Sequence, residues 1–316
     1  MHVITDLDRV PADVAPSAIT IGKFDGLHIG HVRLVERLRA EARERGLNPV
    51  VVTFDRHPAS VFAPDRVPDP VVSPRQRLEL LRRAGITATC VLAFDDDFAA
   101  LSPLAFIRDV CVGALGARLF LVGRDFTFGA RGEGNVDTLL AHADELGYEV
   151  VVADDETGPD GERASSTRVR ELLAAGDVTG VARVLGRPHV VSGEVVHGAK
   201  RGRELGFPTA NLDPDIEGLV PADGVYAGWF HDGESVYPTA ISVGNNPTFE
   251  GVPQKQVEAF VIDAELDLYG HRVQLSFVER IRGMQRFDGV DDLVARMNED
   301  VVDARRILGV PPSSGA

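Results

Sequence analysis

Cysteine is nearly missing from this 316-residue chain: Cys90 and Cys111 are the only two. A disulfide framework or a multi-cysteine zinc site needs more thiols than that. Both sit in apolar runs, ATCVLAF and FIRDVCVGAL, where buried free thiols are expected. Long hydrophobic runs are missing too. Arg108, Asp109 and Arg118 break the best candidate, so no window reaches the ~18 uncharged apolar residues of a membrane span. The opening residues, MHVITDLDRV, lack the basic start and apolar core of a secretory leader. Positive charge is in deficit: 33 Lys and Arg stand against 48 Asp and Glu, a net −15. Such a balance argues against a large nucleic-acid footprint, which needs clustered cations. It also makes the basic spot Lys200–Arg203 conspicuous. Repeats and low-complexity tracts do not occur in the sequence. The expected setting is a reducing cytoplasm, with no membrane or nucleic-acid partner, and the expected state a monomer or weak homo-oligomer.

What is present is an ordinary globular composition, 44% hydrophobic and 26% charged. The length suits about two domains at ~100–200 residues each. Strand-like runs at Ala18–Phe24, Pro49–Phe54, Ala88–Phe94, Ala117–Val122 and Tyr148–Ala153 are apolar without strict alternation, as in strands covered on both faces. Helical segments separate them. Gly30–Arg45 places Leu34, Val35, Leu38 and Ala42 on one face. Ser73-Pro74 and Ser102-Pro103 each read as an N-cap followed by a first-turn proline. The spacing predicts an α/β, doubly wound, Rossmann-like parallel sheet over residues 1–185.

Past a short helix at Asp177–Leu185 the pattern changes. Helical periodicity stops for about 100 residues, and strands are predicted at His189–Val196, Gly224–Phe230, Val236–Val243, Gln256–Ile262 and Arg272–Val278. Short strands separated by Gly, Pro, Asn and Asp suggest a small antiparallel β-barrel over 186–316, with the boundary near Gly186. One helix, Val290–Leu308, closes it, and the PPSSGA tail is expected to fray.

The sharpest motif, GKFDGLHIGH, spans Gly22 to His31 where the first strand meets the first helix. Gly26 and Gly30 allow close backbone approach, and a helix N-terminus offers N–H groups to an anion. His28 and His31, three apart, share a helix face. Asp55-Arg56-His57-Pro58, Gly123-Arg124-Asp125-Phe126-Thr127-Phe128-Gly129 and Ser165-Ser166-Thr167-Arg168-Val169-Arg170 follow later strands. Segments at the carboxyl ends of such strands converge on one crevice. Arg168 and Arg170 in a first helical turn oppose the helix dipole unless they face an anion; a solvated capped helix is the plain alternative. For His57 before Pro58, a simple turn is equally open.

In the second half, HGAKRGRELGFPTANL runs from His197 to Leu212. Its glycines allow a tight arch, and the Thr209 hydroxyl and Asn211 amide offer oxygens suited to a hard cation such as Mg²⁺. The GxxxxGK[ST] spacing is absent. From spacing alone, a loop-rich turn is as good a reading as a functional one. Glu258, between Val257 and Ala259, reads alone as a solvent-facing strand residue, and Asn246-Pro247-Thr248-Phe249 as an ordinary turn.

Together these motifs resemble a known family. GKFDGLHIGH is similar to the HxGH signature of the nucleotidyltransferase superfamily, and SSTRVR to the second phosphate motif of its flavin branch. With GRDFTFG they resemble the FMN adenylyltransferase module of the bacterial bifunctional riboflavin kinase/FAD synthetases. GFPTAN resembles the ATP–Mg²⁺ signature of riboflavin kinases, and PADGVYAGW, ISVGNNPTF and VEAFVIDAELDLYG match the rest of that barrel.

The resemblance implies two reactions: ATP phosphorylates riboflavin to FMN, and a second ATP adenylylates FMN to FAD. It implies ATP and phosphate contacts at Gly22, Phe24, Asp25, Gly26, His28, Gly30, His31, Ser166, Thr167 and Arg168, with His28, His31 and Arg168 as catalytic grips. It implies flavin contacts at Asp55, His57, Asp125, Phe126 and Phe128. In the kinase half it implies ATP contacts at Gly198, Lys200, Gly206, Phe207, Pro208, Thr209 and Asn211, with Mg²⁺ on Thr209 and Asn211. Glu258 corresponds to the catalytic carboxylate.

Two departures stand out. Lys23 occupies a position where a small, apolar or amide residue is expected, so it either adds a phosphate contact or points to solvent. Ala199-Lys200 replaces a more glycine-rich loop. Alternatives are a single-activity adenylyltransferase with a passive barrel, and a flavin reservoir without turnover. tRNA charging, suggested by HxGH alone, conflicts with the acidic balance. The stretch Gly158–Arg163 is expected to be a mobile loop beside the first site.

Overall fold

The computed structural model describes residues 1–154, 161–198, 206–245, 255–264 and 266–311. Two compact units emerge: residues 1–69 with 74–164, and 70–73 with 165–316. In the first, six strands form one sheet: β1 (His2–Ile4), β2 (Ser17–Ile21), β3 (Asn48–Phe54), β4 (Ala88–Leu92), β5 (Ala117–Gly123) and β6 (Glu149–Ala153). All its pairings are parallel, in the order β1-β4-β3-β2-β5-β6. The helices are α1 (Ile29–Arg45), α2 (Ala59–Phe62), α3 (Pro74–Arg83), α4 (Asp96–Ala99), α5 (Pro103–Ala105), α6 (Val136–Ala141) and α7 (Ala143–Leu146), plus a π-helical stretch, Phe106–Ala114.

Both sheet faces are covered, which explains the unbroken apolar runs. Along β5, Leu119 and Leu121 join Val35, Leu38 and Ala42 of α1, while Phe120 and Val122 join Phe106, Ile107 and Cys111 on the opposite side. Both cysteines are free and buried. From β2 the chain winds out through β3 and β4, then returns to β5 on the other side. Such a reversal opens a crevice at the strand ends, here between β2 and β5.

The second unit opens with α8 (Ser166–Ala175) and α9 (Val178–Leu185), capped by Ser165 and Asp177. The strands β7 (His189–Val196), β8 (Thr209–Leu212), β9 (Gly224–Asp232), β10 (Ser235–Asn245), β11 (Lys255–Val261) and β12 (Arg272–Arg282) close a barrel in the order β10-β11-β8-β7-β12-β9. Helix α10 (Val290–Leu308) covers one wall. It is held by Asp300, 4% exposed, which accepts from Arg282 Nη2 at 2.7 Å and pairs with Arg296 at 3.1 Å. The PPSSGA tail after Pro311 and residues 158–160 of the 158–163 stretch lie outside the described residues.

Period-two alternation sets which barrel residues face outward. In β11, Val257, Ala259 and Val261 are buried, and Glu258 and Phe260 lie on the other face. In β8, Ala210 and Leu212 are buried while Thr209 and Asn211 face outward. The pairs Glu258↔Asn211 and Phe260↔Thr209 set the two strands in register.

His189 illustrates how burial in the barrel couples to pH. Its Nε2 donates to the Leu219 carbonyl at 2.6 Å, and burial lowers its pKa from 6.5 to about 4. The unfolded ring therefore takes up a proton as pH falls below its ordinary value, while the native ring does not. Stability tied to this residue is complete above that value and declines, by on the order of 3 kcal/mol, as pH falls towards 4. Urea unfolding should show the gap between wild type and His189→Gln narrowing from about pH 7 to about pH 5. A constant gap would contradict a neutral buried ring.

Candidate active sites

In the first unit, the chain turns sharply between β2 and α1. Phe24, Gly26 and Leu27 have positive φ, at 50°, 77° and 44°. For non-glycine residues that backbone costs roughly 1–2 kcal/mol each. Burial of Phe24 (0% exposed) and Leu27 (3%) offsets the strain. The turn delivers His28 as N-cap of α1 and His31 to its first turn. Their rings stack with centroids 3.7 Å apart, and His31 lies 4.9 Å from the Phe24 ring.

His31 Nδ1 is buried with no hydrogen-bond partner among the described residues. Burial above all, then the neighbouring His28 and Lys23, hold this imidazole well below its ordinary pKa. It is therefore neutral near pH 7, with one N–H to offer an anionic oxygen. No acid stands in the first turn of α1. The opening amides of the helix, which include Ile29, Gly30 and His31, have no acceptor within it. Gly22 keeps the turn tight, since a Cβ there would sit 3.2 Å from the Phe24 ring. Asp25 is buried, and its charge supports the Arg77 guanidinium.

Beside this turn, the ends of β2 to β5 enclose a cavity of about 480 Å³. Seven of the chain's 15 phenylalanines line it. Phe54 and Phe94 meet edge to face at 5.1 Å, and Phe126 and Phe128 stack at 5.2 Å with 15° between planes. Flat aromatic walls with a few polar groups suit a planar, polycyclic ligand.

Of the flavin contacts expected from sequence, Asp125, Phe126 and Phe128 line this cavity. Asp55 and His57 stand at the end of β3 outside the lining. Asp55 Oδ1 accepts the Phe94 N–H at 2.9 Å, and His57 Nδ1 accepts the Ala59 N–H at 3.1 Å. Sequence reasoning missed Phe54, Phe62, Phe94, Phe98 and Phe106, none of which is marked by a polar or glycine-rich motif. It also missed Arg77 of α3, which donates to the carbonyls of Lys23 (3.1 Å) and Phe54 (2.6 Å) and so ties the ends of β2 and β3 together.

Ser166, Thr167 and Arg168 open α8 in the second unit. Ser165 Oγ accepts the Arg168 N–H at 3.2 Å, and Arg168 Nη1 lies 3.8 Å from Glu171. The first turn of α8 carries no acid.

On the barrel, Thr209, Asn211 and Glu258 come together on the outer face. Thr209 Oγ1 donates to Glu258 Oε2 at 3.2 Å, and Asn211 Nδ2 donates to the Thr209 carbonyl at 3.2 Å. A cavity of about 660 Å³ lies alongside, lined by residues that include Gly198, Gly206, Pro208, Thr209, Asn211, Asp267 and Tyr269. Gly198 is pressed so close to Asn211 that a Cβ there would lie 2.4 Å from the amide. The His197 and Tyr269 rings pack 3.8 Å apart at the rim; sequence reasoning assigned Tyr269 no role.

A second cavity, about 390 Å³, shares Gly206 and lies between Phe207, Phe260 and the α10 residues Val294, Asn298 and Val301. Lys200 and residues 246–249 lie outside the described residues. Among the described residues, no cluster of three or more His, Cys, Asp or Glu could hold a metal unaided. The Thr hydroxyl and Asn amide beside one carboxylate instead fit a hard cation that arrives with nucleotide phosphate.

A parallel sheet with an anion-ready turn at its switch point, and a barrel with a hydroxyl–amide–carboxylate face, define a pair of nucleotide-dependent group-transfer modules. Comparison with known proteins is specific. The FAD synthetase family model matches residues 10–168 and the riboflavin kinase model residues 185–308. The bifunctional riboflavin kinase/FMN adenylyltransferase of Escherichia coli (strain K12) is 37% identical over 308 residues, covering 97% of each chain. That of Bacillus subtilis (strain 168) is 32% identical over 310 residues, again 97% of each. The chain belongs to the bifunctional riboflavin kinase/FMN adenylyltransferase family.

A crystal structure described as a macrolide-efflux protein from Streptococcus pneumoniae is also similar, with a TM-score of 0.86 and 32% identity over 96% of this chain and 98% of that one. The efflux belongs to that protein's description. Among the described residues here, no helix is long and apolar enough to cross a membrane.

Proposed function

We propose that this chain makes FMN on the barrel and FAD at the sheet, with the division between the two near Gly186. The observation that carries the reading is the contrast between the sites. The barrel face holds a carboxylate able to take a proton, whereas the turn at His28 and His31 presents hydrogen-bond donors.

On the barrel, the 660 Å³ cavity takes ATP and the cavity walled by Phe207 and Phe260 takes the riboflavin ring. Glu258 accepts the proton of the ribityl 5′-hydroxyl as its oxygen bonds to the γ-phosphorus of ATP. The bond from that phosphorus to the β-phosphate bridge oxygen breaks, and ADP leaves. Thr209 and Asn211 hold Mg²⁺, which when bound neutralises charge on the transferring phosphates. The Thr209 hydrogen bond keeps the Glu258 carboxylate on the reacting face.

At the sheet, the nucleophile is a phosphate oxygen of FMN, already ionised, so no general base is required. It bonds to the α-phosphorus of ATP and pyrophosphate departs. Catalysis there is alignment and charge cancellation. His28, His31 and the first turn of α1 grip the triphosphate, and the phenylalanine cavity seats the flavin ring. Asp125 supplies its polar edge. The enzyme works in the cytoplasm on small molecules, as a monomer or weak homo-oligomer, without nucleic acid.

A time course with riboflavin, ATP and Mg²⁺ should show FMN rising first and FAD following. Chelating the metal should stop FMN formation. Continued FMN formation after chelation would remove Thr209 and Asn211 from the metal-holding role.

A further inference from the structure

Between β2 and β3 the backbone pairing runs from Ser17↔Asn48 to Ile21↔Val52 and ends with the Gly22 N–H donating to the Val52 carbonyl at 3.0 Å. The two segments that matter for the site lie just past that end. Lys23 opens the strained turn that delivers His28 and His31, and Phe54 is a wall of the phenylalanine cavity. Side chains take over the pairing there. The Lys23 carbonyl accepts from Thr53 Oγ1 at 3.2 Å and from Arg77 Nη1 at 3.1 Å, while Arg77 Nη2 donates to the Phe54 carbonyl at 2.6 Å. One guanidinium thus holds a bond on each segment, and its rigid planar fork fixes how far apart they stand.

An apolar side chain would fill that space more stably. Burial works against the charge of Arg77, although Asp25 and Asp55 support it. Its Nε is buried with no hydrogen-bond partner among the described residues. A half-buried cation with an unmade bond is destabilising beside a well-packed apolar residue. What the guanidinium adds is direction, two bonds held at a set angle. Asp55 extends its reach, because this carboxylate also accepts the N–H of Phe94, a further wall of the cavity.

We propose that Arg77 is a positioning residue for adenylyl transfer, setting the distance between the flavin cavity and the triphosphate turn. This role rests on the reading that the cavity takes the FMN ring and the turn takes ATP. Arg77 does not line the cavity and moves no proton. It fixes where the FMN phosphate meets the α-phosphorus, and a misplacement of about 1 Å there lowers the rate by on the order of 10²-fold.

Single-turnover FAD formation by the full-length protein, with enzyme in excess over FMN and ATP saturating, tests this. Such a rate is not lowered by a fraction of misfolded enzyme. Arg77→Lys keeps the charge and loses the fork. It should slow the step by about 10–10²-fold, with KM for FMN and ATP within about threefold of wild type. FMN formation from riboflavin should be unchanged. Thr53→Val removes the other donor to the Lys23 carbonyl and should slow the same step less, again without raising KM. A wild-type single-turnover rate in Arg77→Lys, or a rise in either KM that matches the loss of rate, would overturn the role. Should Arg77→Lys yield no folded protein, Thr53→Val decides, and a wild-type rate there overturns it equally. Phe98→Ala tests the reading beneath. If it raises KM for FMN in FAD formation, the cavity takes the ring and the Arg77→Lys rate judges the positioning role alone. If KM for FMN stays unchanged, the cavity reading fails and the positioning role falls with it.

Discussion

His31→Ala should reduce FAD formation from supplied FMN by ~10²–10³, the usual loss when one transition-state hydrogen bond to a developing charge is removed. The effect should fall on kcat more than on KM for FMN, because the proposed role of the imidazole is to grip the triphosphate and His31 does not line the phenylalanine cavity. The neutral state of His31 makes this sharp. A ring held below its ordinary pKa by burial presents an N–H without carrying a charge, so its contribution comes from a directed bond and not from general attraction. His31→Asn, which keeps a side-chain N–H, should retain more activity than the alanine variant. Stacking against His28 at 3.7 Å means that the alanine variant also frees its neighbour, which puts the loss towards the upper end of that range. FMN formation from riboflavin should be untouched. Measuring ADP and pyrophosphate separately checks this, and equal loss of both products would contradict independent sites.

The mirror prediction concerns Glu258. Glu258→Gln keeps an oxygen able to accept the Thr209 hydroxyl at the same place, but it cannot take a proton. FMN formation should fall by ~10²–10⁴, the range for a lost general base. Adenylylation of supplied FMN should proceed at the wild-type rate. Glu258→Ala removes the base and the Thr209 partner together, so it should be at least as inactive. If the glutamine variant kept its kinase rate while the alanine variant lost it, Glu258 would be a positioning group for Thr209 and not the base.

Much of this arrangement was legible in the sequence because the relevant signals are local. Period and length predicted the closing helix at Val290–Leu308, the bounds the structure shows, and the N-cap Ser102 holds its helix as expected. The parallel sheet followed from apolar runs separated by helices. Two strands escaped for physical reasons. β1 is three residues long, and its partner β4 lies more than 80 positions away. β8 is four residues inside a Gly- and Pro-flanked segment that reads as a loop, although it sets Thr209 and Asn211 opposite Glu258.

The phenylalanine cavity was the least legible part. Its phenylalanines come from separate strand ends and loops, and each looks alone like one more core residue. Nothing in a linear reading marks seven of them as one wall. Lys23 and His57, 34 positions apart, likewise meet only because β2 and β3 are neighbours. Arg77 was invisible for the same reason: its function is to hold two backbone carbonyls that belong to different strands.

The central claim is that one chain holds two ATP sites with unlike chemistry. Titrating the full-length protein with a non-hydrolysable ATP analogue and Mg²⁺ counts them directly. Two equivalents bound per chain are expected, with one lost when the turn at His28 and His31 is disrupted and the other retained. Saturation at a single equivalent in the wild type would contradict the account.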